Sequence, residues 1–158
     1  MDSDWTHCGN WDQGFPPLAN QDVFIPMTGT CDPLIERNAV ARSISISAGA
    51  ALFLNHPGLL HINGAGAPPF TDGIAVGAGS ELYINTGSKL EITNPQDDGI
   101  QNSGITVCSG ELIIENSDYG IYNFNNGELL NDAGGHIHIT NIAYQGILNN
   151  LGLITNAA

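Results

Sequence analysis

Cations are nearly absent from this sequence of 158 residues: Arg37, Arg42 and Lys89 stand against 16 Asp and Glu, for a formal charge of −13. With no cationic surface to neutralise phosphates, nucleic-acid binding is excluded and an anionic membrane surface is disfavoured. No stretch of 18 apolar residues occurs, so no hydrophobic membrane-spanning helix is encoded. The opening Met1-Asp2-Ser3-Asp4 has neither the basic nor the apolar segment of a secretion signal. For a secreted protein, the expectation is a mature form with an added start Met, or a piece of a longer chain. A 3.6-residue apolar stripe is missing throughout, while 20 Gly and many Asn supply corner residues that tolerate positive φ. The class is all-β, and apolar residues at 42% suffice for one core and one domain.

What is present is repetition. Gly-Ile recurs at Gly73-Ile74, Gly99-Ile100, Gly120-Ile121 and Gly146-Ile147, so that the pattern restarts at nearly regular intervals. Between these points the same phrase returns: a small residue, a polar one, then Leu/Ile-x-Leu/Ile, then Asn. It reads Ser80-Glu81-Leu82-Tyr83-Ile84-Asn85, Gly110-Glu111-Leu112-Ile113-Ile114-Glu115-Asn116, Gly127-Glu128-Leu129-Leu130-Asn131 and Gly135-His136-Ile137-His138-Ile139-Thr140-Asn141. A period in the twenties, built of short strand-like pieces and Gly/Asn corners, is the signature of a β-solenoid. Earlier, Ser43-Ile44-Ser45-Ile46-Ser47 alternates with period two, and Leu52-Phe53-Leu54-Asn55 and Leu60-His61-Ile62-Asn63 repeat the theme. The Leu/Ile pairs are expected inside and the asparagines at corners, hydrogen-bonded from coil to coil as ladders. Gly64 to Pro69 reads as an outward loop.

Residues 1–35 differ in texture, with Trp5, Trp11, Cys8, Cys31, Pro16, Pro17, Pro26 and Pro33. They are expected to form an N-terminal cap over coils spanning 36–158, since a solenoid end otherwise exposes its apolar interior. Cys8 and Cys31 are spaced to bridge that cap, at a gain of roughly 3–4 kcal/mol, and a disulfide implies an oxidising compartment. Zinc would need more ligands than these two and His7.

The wording of this segment carries a resemblance. Asn10-Trp11, Gly14, Pro16-Pro17 and Asp22-Val23-Phe24-Ile25-Pro26 resemble the start of many bacterial surface proteins exported by the type IX system. The likeness is close as far as Pro26 and stylistic beyond it. It implies an extracellular β-helix, often part of a large adhesin-like protein, and brings no catalytic residues.

The last phrase, Leu153-Ile154-Thr155-Asn156, ends on a coil without a polar cover. Either the natural chain continues or something docks there, such as the N-terminal end of an identical molecule, stacking Leu153 and Ile154 on Trp5 and Trp11 as a head-to-tail filament.

Three constellations carry possible chemistry. Asp72, Asp97 and Asp98 fall at equivalent corners of successive coils, ~4.8 Å apart in rise, as a carboxylate pair for inverting glycoside hydrolysis would require. The wording is similar to polygalacturonase-type pectinases. Their Gly-His-Gly and Arg-x-Lys segments are missing here, and Asp before Gly is ordinary corner chemistry. His136 and His138 lie on one strand face, about 6.6 Å apart, and with Asp132 would bind a metal; the plainer reading makes them the solvent side of the alternation. Cys108 reads as a buried thiol. Tyr119, Tyr122, Phe124 and Tyr144 flank the Gly-Ile corners, and either side of the sheet remains open to them.

The acid excess reads as solubility and self-repulsion, with Ca²⁺ binding as the alternative. The acids are scattered rather than set in an Asp-rich loop, and no cofactor is implied. The expected molecule is thus a right-handed parallel β-helix, extracellular or on the cell surface, that performs no chemistry. It would serve as a structural or adhesive module, partnered by itself, by neighbouring domains or by a surface polysaccharide. A carbohydrate-active β-helix and a carbohydrate-binding module using the tyrosines are the alternatives.

Overall fold

Each Leu/Ile-x-Leu/Ile phrase forms a strand with two side chains facing one way, too short to bury that face alone. In a computed structural model, describing residues 3–27, 31–64 and 71–157, these strands stack into three parallel sheets. Strands are numbered β1 to β17 in chain order. One sheet holds β1 (Asp22–Ile25), β4 (Ser43–Ile46), β7 (Ile74–Val76), β10 (Asp98–Asn102), β13 (Tyr119–Phe124) and β16 (Gln145–Asn150). The second holds β2 (Leu34–Ile35), β5 (Ala51–Leu54), β8 (Glu81–Ile84), β11 (Ile105–Cys108), β14 (Glu128–Asn131) and β17 (Leu153–Asn156). The third holds β3 (Asn38–Ala41), β6 (Leu59–Ile62), β9 (Lys89–Thr93), β12 (Glu111–Glu115) and β15 (His136–Thr140). The order is that of a parallel β-solenoid of about five turns. The expected outward loop lies, after Gly64, outside the described residues.

Register makes columns of like residues. In the first sheet Val23, Ile44, Ile74, Ile100, Ile121 and Ile147 stand over one another. In the third, Ala41, Ile62, Ile92, Ile114 and Ile139 do the same. From Ile44 to Ile121 these columns are fully buried. Each buried Leu or Ile contributes roughly 1.5–3 kcal/mol against exposure, which is what holds a stack of such short strands together.

In three of the four Gly-Ile pairs, at Gly73, Gly99 and Gly120, the Gly is dictated by closeness. A Cβ placed on Gly99 would overlap Ile114 Cγ2 and the Gly120 carbonyl, and one on Gly120 would overlap Ile139 Cγ2 and the Gly146 carbonyl. The repeat is therefore a packing requirement from Gly73 to Gly120, whereas at Gly146, in the last coil, a Cβ would meet only Ile139 Cγ2 at an ordinary contact distance.

β1 and β2, within residues 1–35, pair with β4 and β5 and so join the sheets of the later coils. One expectation changes. No disulfide joins Cys8 to Cys31. Cys8 is exposed on a single 3-10 turn, Cys8–Asn10, while Cys31 is half-buried ahead of β2. Sequence spacing permits a bridge, but a bridge also needs facing Cβ atoms, which spacing does not supply. The N-terminal segment is held instead by the Asp4–Leu34 bridge, by Trp5 N–H donating to Leu34 O (3.1 Å) and by Trp5 itself, 2% exposed in the core.

Candidate functional site

The acids before the Gly-Ile corners do come together. Ile74 pairs with Ile100, which sets Asp72 and Asp98 in one column, and Asp98 N–H donates to Asp72 Oδ1 (3.3 Å). Asp98 is 2% exposed and its Oδ1 has no partner. Burial, then the charges of Asp72 and Asp97, push the Asp98 carboxyl up to about 7, against a lowering hydrogen bond from Gln101. Asp72 is raised to about 6, chiefly by burial and further by Asp97, while the Asp98 N–H works the other way. Burial and neighbouring negative charge thus oppose ionisation of both carboxyls, more strongly at Asp98 than at Asp72. Asp97 is exposed, one position outside that column. Asp98 therefore has the raised pKa of an acid catalyst but the burial of a core residue, while Asp72 is half-buried.

A second polar assembly was missed by the sequence reading. In the first sheet the inward column that begins Ile25, Ile46, Val76 continues as Asn102, Asn123, Asn149. Asn102 Nδ2 donates to Asn123 Oδ1 (2.7 Å), and Asn123 Nδ2 donates to Asn149 Oδ1 (2.9 Å) and to Gly127 O (2.9 Å). Thr106 Oγ1 closes the bottom of the ladder onto Asn102 Oδ1 (3.1 Å). In the second sheet the column Leu54, Ile84, Cys108 likewise turns to Asn131 and Asn156, with Asn131 Nδ2 donating to Asn156 Oδ1 (2.7 Å). The signal was the repeat Gly-Ile-x-Asn at 99–102, 120–123 and 146–149, since a residue two beyond an inward Ile also faces inward. Corner ladders exist too, as expected: Asn85 Nδ2 donates to Asn55 Oδ1 (2.6 Å) and Asn116 Nδ2 to Asn94 Oδ1 (3.0 Å).

The aromatic residues take the outer face. Ile121 and Asn123 point in, so Tyr122 and Phe124 point out, stacked at 4.9 Å, with Tyr119 5.3 Å from Tyr144. On the second sheet Phe53 and Tyr83 stack at 5.0 Å, nearly parallel. The third sheet is charged outside, with Lys89 Nζ lying 2.8 Å from Glu91 and 3.4 Å from Glu111.

The other singled-out residues behave plainly. His136 and His138 are exposed with rings 6.3 Å apart, Asp132 Oδ1 accepts from Ala133 N–H, and among the described residues no three His, Cys, Asp or Glu assemble as a metal site. Cys108 is wholly buried, its thiol pushed up to about 11 by that burial. Leu153 and Ile154 are exposed on β17. Trp5 is not: it meets Trp11 edge-on at 4.7 Å, and Trp11 Nε1 donates to Trp5 O (2.7 Å). Between this segment and β1 lies a cavity of about 600 Å³ lined by Trp11, Phe15 and Phe24 among others.

Comparison with protein-family models, with curated proteins and with solved structures finds no match for this chain.

Proposed function

We propose that this chain is a non-catalytic, extracellular structural and adhesive module: a β-solenoid spacer that assembles end to end and offers its ringed outer face to surface polysaccharide. The observation that carries this reading is the last coil. After Asp132 the sequence contains no Asp, Glu, Lys or Arg, in a chain of charge −13. Leu153, Ile154 and Ile147 are exposed there, and among the described residues β16 and β17 each have a neighbour on one side only. Flanks rich in carboxylate repel one another, whereas an uncharged end does not, so association along the axis is favoured over association side by side. The likeness of the segment up to Pro26 to type IX-exported surface proteins supports the extracellular setting, and a right-handed coil is part of the same reading. A hydrolytic role for Asp72, Asp97 and Asp98 is less well supported, because Asp98 has almost no surface to offer a sugar.

Electron microscopy of the purified protein beside Ile154→Lys tests the proposal. Regular end-to-end filaments that disappear in the variant are expected. Isolated short rods in both samples would remove self-assembly from the function.

A further inference from the structure

The free edge of β1 opens onto the cavity beneath the N-terminal segment. Among the described residues β1 is paired only with β4. Gln21 O accepts from Arg42 N–H (2.8 Å) and Ile25 O from Ser47 N–H (3.0 Å), so the odd-numbered peptide groups along β1 are turned toward β4. Alternation then turns the N–H and C=O of Asp22 and Phe24 the other way, toward the cavity that Asp22 to Pro26 help to line. Strand edges of this kind pair readily with another chain, and proteins usually cover or charge them. Here the opposite wall carries Trp11 and Phe15, with Asp4 and Asp12 also lining the space.

We infer that this groove is a binding site for an extended peptide segment of another protein, added to β1 as a further strand. Main-chain bonds to Phe24 would fix its register, and side chains at alternate positions would fix its identity. Positions facing inward would meet Val23, Ile25 and Trp11 and so be apolar. The carboxylate of Asp12 favours lysine or arginine at the positions near it, whereas Asp4 Oδ1 already accepts from Thr6 N–H and Oγ1. This chain is a poor occupant of its own groove, because it has three cations in all and none in its last coil. The partner is therefore a basic, strand-forming segment of a different protein; because the groove lies at the N-terminal end of the stack and Trp5 and Trp11 line it, bound peptide and an end-to-end neighbour would compete.

The test is panning of a phage-displayed random peptide library on the folded protein, followed by fluorescence anisotropy with the enriched peptides. Enriched sequences should alternate apolar residues with Lys or Arg, and their binding should weaken as salt rises. Phe24→Pro removes an N–H aimed into the groove and leaves the β1–β4 ladder intact; it should weaken binding at least about tenfold, at a loss of about 1.4 kcal/mol per tenfold. Phe15→Ala, on an exposed wall residue, should weaken it a few-fold. Hydrogen exchange supplies a readout that needs no variant: the Phe24 amide should become at least about tenfold better protected when peptide is bound. Ile154→Lys should leave the affinity of the unassembled protein for peptide unchanged, since residue 154 lies at the opposite end of the stack. No enrichment, equal binding to Phe24→Pro or an unchanged Phe24 amide would overturn the inference. So would neutral oligosaccharides binding in place of peptides, or self-association abolished by Phe24→Pro.

Discussion

The lower and upper halves of the solenoid fill the same interior with different chemistry. In the early coils the inward columns of the first two sheets are Ile25, Ile46, Val76 and Leu54, Ile84; in the later coils the same columns become Asn102, Asn123, Asn149 and Asn131, Asn156. A buried amide ordinarily costs free energy unless both its donors and its acceptor are matched. Stacking solves this along the first sheet, where Asn102 and Asn123 each donate to the amide above and Asn123 also accepts from the one below; in the second sheet Asn131 donates to Asn156 while its buried Oδ1 has no partner. The Asp72–Asp98 column shows what happens when the stacked group lacks that symmetry: two carboxylates offer only acceptors, so Asp98 Oδ1 is left without a partner and both acids hold protons to unusually high pH. The lesson is that a parallel stack accepts buried polarity where a group is bonded on both sides, as Asn123 is, and not merely where it could be, as Asn131 shows.

Breaking the amide half should have the largest effect. Asn123→Ala removes the middle of the ladder, including bonds to Asn102, Asn149 and Gly127, and leaves their buried groups unmatched. A loss of about 4 kcal/mol is expected from urea unfolding, since each stranded polar group costs roughly 1–3 kcal/mol. A loss under ~1 kcal/mol would mean that the ladder is incidental to the later coils.

The acid column comes next, and the sign of its pH dependence is fixed. Both pKa values are raised above 3.8 in the fold, to about 6 for Asp72 and about 7 for Asp98. Ionisation is thus opposed in the folded state. The contribution of these groups is fully present below about pH 4 and is lost as pH rises through 6 and 7. Asp98→Asn converts the column to one with a donor. It should stabilise the protein by about 2 kcal/mol at pH 8 and by almost nothing at pH 4, flattening the profile. A profile unaltered by the substitution would mean that Asp98 is not opposed in its ionisation by the fold.

The smallest effect belongs to the charged outer face, where matching is done by solvent. Lys89→Gln, which leaves Glu91 and Glu111 without their cation, should change stability by less than about 0.5 kcal/mol and the change should vanish in about 0.5 M salt. Thermal unfolding at two salt concentrations checks it.

Much of the fold was legible because the solenoid repeats its constraints. Gly99 and Gly120 are glycines for the same steric reason, and the strand phrases name their own inward residues. The acid column was legible by the same logic, since Asp72 and Asp98 precede equivalent glycines. Buried asparagine was not read correctly, because Asn after a strand usually marks a corner. Only the parity of Gly-Ile-x-Asn places Asn123 inside. The side taken by Tyr122 and Phe124 follows from that parity as well. The absent Cys8–Cys31 bridge and the groove beside β1 were beyond reach: both depend on the path of a single, unrepeated segment across the first coil, where no second copy of the pattern supplies a check.

The unequal lengths of the coils have a mechanical consequence. Along the inward column from Val23 to Ile147, the chain takes its longest course between Ile44 and Ile74 and its shortest between Val23 and Ile44 and between Ile100 and Ile121. Tension applied along the axis would therefore peel the stack a coil at a time, each release lengthening the chain by roughly 70 to 105 Å at ~3.5 Å per residue. A tether built this way yields in steps of unequal size.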